Sequence, residues 1–255
     1  MNETIRTIRE RMSLRRYSPK PIEPEHLNVI IHSTLRAPTA GNMMLYSVIQ
    51  VEDQDQKERL TETCGHSFIA EAPLVLLFLA DMQRIYDFYR AFGVPEYCQE
   101  HDLEFQTPKA SNLMMSCCDA LIAAQTSVIA AESLGIGSCY IGDIMGSREE
   151  HQEMFQLPGW TFPIALVCYG YYPEDMKRKL NTRFDRQFIW FQDTYNHQSR
   201  EGFEEMYGEI IDKFSGLLEK KNLNLAELTY LNFTLGESEL EEQRSVALLL
   251  DRWLG

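Results

Sequence analysis

The chain has 255 residues, 44% of them hydrophobic, which suits one large domain or a compact domain with an added arm. Its 24 Lys and Arg stand against 38 Asp and Glu, a net charge of −14, which excludes broad binding to nucleic acid or an anionic membrane, since both need a basic surface. With 14 Gly and 10 Pro, low complexity and disorder are excluded as well.

In chain order, Ile5, Ile8 and Met12 fall on one helical face, and Ser13 breaks the pattern. A second helix begins near Pro24, which sits in the first turn, where its missing N–H costs nothing; Leu27, Ile30, Ile31, Thr34 and Leu35 follow at helical spacing, and Pro38 stops it. Residues 46–51 (YSVIQV) read as a strand, and 55–65 as a short exposed helix capped by Gly65. The unbroken apolar run 72–81 (APLVLLFLAD) predicts a central strand buried on both faces. Residues 83–92 read as helix. Residues 111–134 form the longest helix, apolar on most sides, so it must be buried all round, inside the subunit or against a partner. Asn112, Asp119, Gln125 and Glu132 interrupt it and argue against a membrane span. Strands follow at 137–142 and 163–171, with a helix (147–157) between them. Beyond Tyr172 a polar, basic loop leads to FIWFQ (188–192), read as a short strand, and then to Glu- and Leu-rich helices at 199–220 and 238–254.

The fold class is therefore α+β: a central sheet of about five strands wrapped by helices, with a helical C-terminal extension. Residues 1–196 are expected to form the main domain, and 197–255 to extend the same unit, because that segment carries too little apolar material to fold alone. The six cysteines show no C-x-x-C spacing and read as reduced, mostly buried thiols of a cytoplasmic protein. Glu3 and Glu10 count against reading the Arg-rich start as an organellar presequence.

Two basic islands stand out in this acidic chain. The first holds Arg6, Arg9, Arg11, Arg15, Arg16 and Lys20; Arg11 and Arg15, four apart, with the Ser13 hydroxyl between them, make a phosphate clamp if they point the same way. The same spacing fits a solvated helix face. The second holds Lys177, Arg178, Lys179, Arg183 and Arg186 in a loop. The small polar turn Thr39-Ala40-Gly41-Asn42 offers free backbone groups to a flat polar ligand, and equally fits a plain helix–strand loop. Gly135, Gly137 and Gly142 do not make a dinucleotide fingerprint: Tyr140 stands where the third glycine belongs, and a helix precedes the glycines where a strand should. The six histidines lack metal-ligand spacing, and no G-x-S-x-G elbow occurs.

Four segments in order, ERMSLRRYSPKPIEPEHLNVIIHSTLRAPTAGN, IAAESLGIGSCYIGDI, YGYYPED and RFDRQFIWFQDTY, resemble the FMN-dependent nitroreductase family across roughly residues 3–196. The resemblance implies a homodimer with FMN at its interface and a mixed sheet in a helical shell. It implies NADH or NADPH as electron donor and a small-molecule electron acceptor, in a ping-pong cycle through one shared site, so that no separate Rossmann domain is needed. By position, it assigns Arg11, Ser13 and Arg15 to the FMN phosphate and ribityl chain, Arg183 to the same phosphate, and Lys179 as an assistant. Pro38, Thr39 and Asn42 match the turn that meets the ring, His66 a polar ring contact, and Tyr140, Ile141 and Gly142 the segment behind the ring. No side chain is assigned as catalytic acid or base. Met44, Leu45 and Tyr46 replace the family's usual Gln-Pro-Trp, and Asn181 stands where some relatives carry lysine; these departures bear on redox tuning and substrate choice. A specialised flavoenzyme on the same scaffold (a reductive dehalogenase or a flavin-cleaving enzyme), a non-catalytic FMN-binding protein and a cofactor-free protein are the alternatives.

Overall fold

The computed structural model describes residues 2–254. They divide into two compact units: one runs to Lys179 and resumes at Glu241, and the other is Leu180–Leu240. In the first unit, α1 (Glu3–Glu10) starts where the Asn2 side chain accepts the Ile5 N–H at 3.0 Å. α2 (Pro24–Leu35) is followed by β1 (Tyr46–Gln50), α3 (Gln54–Cys64), α4 (Phe68–Glu71) and β2 (Leu74–Asp81). Asp53 caps α3 by accepting from Gln56 N at 2.8 Å, and Gly65 ends it in the left-handed region at φ +69°, as its position predicts. Then come α5 (Gln83–Ala91), α6 (Val94–Glu100), α7 (Ala110–Ser133), β3 (Ile136–Ile141), α8 (Arg148–Met154) and β4 (Thr161–Tyr171).

The sheet has the order β1-β2-β4-β3, with every neighbouring pair antiparallel. The expected α+β architecture holds, with four strands where about five were expected and antiparallel pairing throughout the sheet where a mixed one was expected. Among the described residues parallel pairing is confined to one bridge, Ser13 to Ser138, where the N-terminal segment lies along β3. β2 is buried along its whole length because alternate residues serve opposite layers. Val75, Leu77 and Leu79 pack with Leu60, Cys64, Phe68 and Ile69 of α3 and α4, whereas Leu74, Leu76 and Phe78 pack with α7. On α7 the contact residues are Ala120, Ala123, Ala124, Val128 and Ala131, small enough to bring the helix close to the sheet. A third cluster joins Leu45, Met82, Leu113 and Trp160 to Leu249 and Trp253 of the returning C-terminal helix, with the two indoles edge-to-face at 5.1 Å.

α7 is long and apolar enough to cross a membrane by composition, with a mean hydropathy of 1.5, but it packs against α2 and the sheet. Of the two expected ways to bury it, inside the subunit or against a partner, the first does not cover one face: Met114, Met115, Leu121 and Ile122 are exposed.

The second unit carries α9 (Arg186–Ile189), α10 (Arg200–Lys221), α11 (Leu225–Phe233) and the start of α12 (Glu237–Leu254). The fifth strand expected at 188–192 is absent. Asp185 opens the short helix α9 there, Phe188 is buried, and Trp190 stands exposed. α11 was not expected; Asn224 and Glu227 form a reciprocal capping box that starts it, with bonds of 2.9 and 2.8 Å.

Candidate functional site

Of the predicted residues of the first unit, Arg11, Ser13, Arg15, Tyr140, Ile141 and Gly142 lie on or beside β3. After α1 the chain turns extended at Arg11 (φ −60°, ψ 142°), so Arg11 and Arg15 lie on extended chain rather than on a helical turn. Extended backbone places residues 11, 13 and 15 on one side and residue 14 on the other. Ser13 and Arg15 are accordingly exposed and Leu14 fully buried. The segment is tied down by the bond from Leu14 N to Ser138 O, 2.9 Å.

Close approach here depends on two glycines that face each other across β3 and β4. A Cβ on Gly137 would lie 2.7 Å from Leu14 Cδ2, and one on Gly170 would lie 2.6 Å from Tyr17 Cδ1. Next to this pair is the buried Cys139 thiol; burial raises its pKa, and the neighbouring Arg15 and Ser13 act the other way. Arg11 lies close enough to act electrostatically on the Tyr140 and Tyr172 phenols, and its Nε is buried without a partner. The structure thus brings Arg11, Ser13, Arg15 and Tyr140 together. Ile141 has its side chain in the core, so only its backbone is available to a ligand.

Beneath this segment is a cluster that sequence reasoning missed. Glu132, buried near the end of α7, accepts the Tyr172 hydroxyl at 2.9 and 3.1 Å and pairs with Arg178 at 2.7 Å. Arg178 lies over the Tyr172 ring, 4.4 Å from its centroid, and donates to the Glu10 carbonyl at 3.1 Å. Burial first, and then the Glu132 charge, push the Tyr172 phenol up to about 12. Arg16 also reaches Asp175 at 2.9 Å. The late loop and the chain start do meet in the first unit, through Arg178 and Arg16. Lys179 is exposed at the end of that unit, and Arg183 belongs to the second unit, where its guanidinium donates to Thr182 O at 3.5 Å.

The turn after α2 is held from α7. Asp119, buried, accepts from Ala40 N at 3.0 Å, from Leu45 N at 3.1 Å and from the Thr39 hydroxyl, whose oxygen in turn accepts Met44 N at 2.8 Å. This fixes a tight backbone with positive φ at Gly41, Asn42 and Met44. The Thr39 hydroxyl is therefore engaged within the protein, while Asn42 and Pro38 are exposed. Pro38 also lines an open groove of about 650 Å³ between α1, the end of α2 and α7, with Thr7, Ile122, Gln125 and Ile129. Tyr140 connects this groove to β3 by donating its hydroxyl to Gln125 at 3.4 Å.

His66 stands at the far end of β3. Its Nε2 lies 3.1 Å from Asp143 Oδ2, just past Gly142. An ionised carboxylate can only accept, so Nε2 carries the hydrogen and the ring is oriented by the pair. Phe68 stacks on that ring at 5.3 Å. Asp119 and Glu132 had a sequence signal, a lone carboxylate inside an apolar helical run, which requires a buried partner. Among the described residues no group of three or more His, Cys, Asp or Glu side chains is placed to hold a metal.

Chemically, the first unit offers a cationic, hydroxyl-bearing segment against the β3 edge, and, elsewhere on its surface, a rigid turn, a groove and an oriented imidazole. That suits an anionic, planar ligand. The profile of the nitroreductase family matches residues 8–171. The FMN reductase [NAD(P)H] of Bacillus subtilis (strain 168) is 30% identical over 90% of this chain and 91% of its own length. The CR(VI) reductase of Pseudomonas sp. (strain G-1) is 27% identical over 81% of each chain. The solved structure of B. megaterium NfrA2 superposes with a TM-score of 0.77 at 27% identity, covering 99% of this chain and 98% of that one. From the family match, and from a relative similar over nine-tenths of the length, this chain belongs to the nitroreductase family.

Proposed function

We propose that the chain is an FMN-dependent NAD(P)H oxidoreductase, acting as a homodimer on nitroaromatics, quinones, flavins or similar electrophiles. The observation that carries this reading is the Arg11–Ser13–Arg15 segment. Its two guanidinium groups and one hydroxyl lie along β3, and the buried Arg11 Nε has no protein partner. Such an atom costs free energy unless a ligand satisfies it, and a phosphate does so with charge-assisted bonds. The names of the two relatives, one reducing FMN with NAD(P)H and one reducing Cr(VI), agree with a reductase of broad acceptor range.

The chemistry supplied by bound FMN is hydride transfer between NADH or NADPH and an electrophilic acceptor. Arg11, Ser13 and Arg15 hold the phosphate, with Lys179 adding positive charge. The turn Pro38–Asn42, locked by Asp119, meets the ring edge through its exposed residues Pro38 and Asn42, since the Ala40 and Asn42 N–H groups are taken up within the protein. Tyr140, Ile141 and Gly142 back the ring, and Asp143 keeps His66 oriented toward it. No protein side chain moves a proton in this scheme. The exposed apolar face of α7, with Met114, Met115, Leu121 and Ile122, is the dimer surface, because a patch of this kind needs cover. Six free thiols, three of them buried, agree with a cytoplasmic location.

The test is anaerobic reduction of the purified protein. Flavin absorbance bleached by NADH or NADPH and restored by a nitroaromatic supports the proposal. Protein that purifies without flavin and takes up none contradicts it.

A further inference from the structure

We infer that Arg178 is a positioning residue for the anion site: by engaging the Glu132 carboxylate it leaves the Arg11 guanidinium free to meet a phosphate. The inference rests on the reading of Arg11, Ser13 and Arg15 as the FMN phosphate site.

Glu132 is the buried negative charge next to that site, with a side chain only 2% exposed. A carboxylate at that depth requires a cation, since an uncompensated buried charge is strongly unfavourable. Two arginines lie near it. Arg178 makes the direct pair at 2.7 Å through the same nitrogen that holds the Glu10 carbonyl, so Arg11, the next residue, lies within a side chain's reach of the carboxylate. Arg178 also holds the Glu10 carbonyl at 3.1 Å, and Glu10 ends α1 immediately before Arg11. That carbonyl is one of those a helix C-terminus leaves unpaired, so Arg178 fixes both the acid beside Arg11 and the backbone that carries it.

The consequence is a division of labour. With Arg178 on Glu132, the buried Arg11 Nε keeps no protein partner. Without Arg178, Arg11 is the neighbouring cation that Glu132 captures, and the anion site loses one of its two guanidinium groups.

The experiment titrates FMN and riboflavin, which lacks the phosphate, against wild type, Arg178→Met, Glu132→Gln and the double variant, reading flavin fluorescence quenching. Arg178→Met is expected to weaken FMN about 10- to 100-fold, the loss of one charge-assisted phosphate contact, and to change riboflavin affinity by no more than about twofold. Glu132→Gln in that background should restore most of the FMN affinity, because a neutral amide no longer competes for Arg11. If Arg178→Met does not fold, the double variant carries the test, since it buries no unpaired charge: its preference for FMN over riboflavin should match wild type. Unchanged FMN affinity in Arg178→Met overturns the inference. So does an equal loss of FMN and riboflavin, or a double variant that does not prefer FMN. A wild type that binds both flavins alike overturns the phosphate-site reading itself, and the inference falls with it.

Discussion

The Asp119 carboxylate on α7 accepts the Ala40 N–H at 3.0 Å, tying the longest helix to the turn that follows α2. The same carboxylate takes Leu45 N and the Thr39 hydroxyl. Asp119→Ala would orphan these donors in a buried place, at an expected loss of about 2–4 kcal/mol in urea unfolding. Asp119→Asn, which keeps one acceptor oxygen, should lose less. A variant with wild-type stability would show that the turn does not depend on this anchor.

The glycine pair between β3 and β4 makes a sharper prediction, because it links packing to the site. Gly137→Ala would push against Leu14 and Tyr172, whose ring carbon lies 2.8 Å from the built Cβ. The expected cost is about 1–3 kcal/mol, typical of overpacking, together with reduced flavin content as Ser13 and Arg15 are displaced from β3. Gly216→Ala on α10 is the control: nothing lies within 4 Å of its Cβ, and the change should stabilise by about 0.5–1 kcal/mol. Thermal melts and flavin absorbance of the two variants check both.

His151 gives the fold a pH dependence. It is fully buried, donating from Nδ1 to Ile144 O at 3.0 Å, with Nε2 hydrogen-bonded to the Thr63 hydroxyl at 2.8 Å. A carbonyl can only accept, so Nδ1 carries a hydrogen, and burial, which disfavours the charged ring, lowers its pKa from the ordinary value. A lowered folded-state value means that the unfolded chain binds the proton first. The contribution of His151 is therefore complete above about pH 6.5 and is lost as pH falls below that and through the folded-state value. Urea midpoints measured from pH 8 to pH 5 should fall across this window, and His151→Gln should flatten that part of the profile.

Much of the fold was legible because local chemistry and tertiary burial agree. Pro24 opens α2, Gly65 closes α3, and the unbroken apolar run of β2 does pack on both sides. FIWFQ was misread because its aromatic and β-branched residues suit a strand, whereas Asp185 starts a helical turn that buries Phe188 alone. The capping pair Asn224 and Glu227 was in the sequence as a start signal for α11 and went unread. At the site, Arg11, Ser13, Arg15 and Tyr140 were named from their motif and lie together. Their geometry was not legible, since the four-residue spacing left open which way the two arginines point, and the chain is extended there. Glu132 and Arg178 are 46 residues apart in sequence, and only folding pairs them; spacing carries no trace of such a contact.

The exposed face of α7 predicts the oligomeric state. Ile122, 40% exposed, lines the groove together with Ile129. Ile122→Glu places a charge on that apolar face and should leave the circular dichroism spectrum unchanged while shifting the protein from dimer to monomer in sedimentation equilibrium. A variant that sediments as wild type would exclude this face as the interface.

The central claim is that a mononucleotide phosphate is held by Arg11, Ser13 and Arg15. Its most direct measurement is the ratio of FMN to riboflavin affinity in wild type and in Arg15→Ala. The account predicts that wild type strongly prefers FMN and that Arg15→Ala weakens FMN about 10- to 100-fold with little effect on riboflavin. An Arg15→Ala protein that purifies with a full complement of FMN and keeps the wild-type ratio would contradict it.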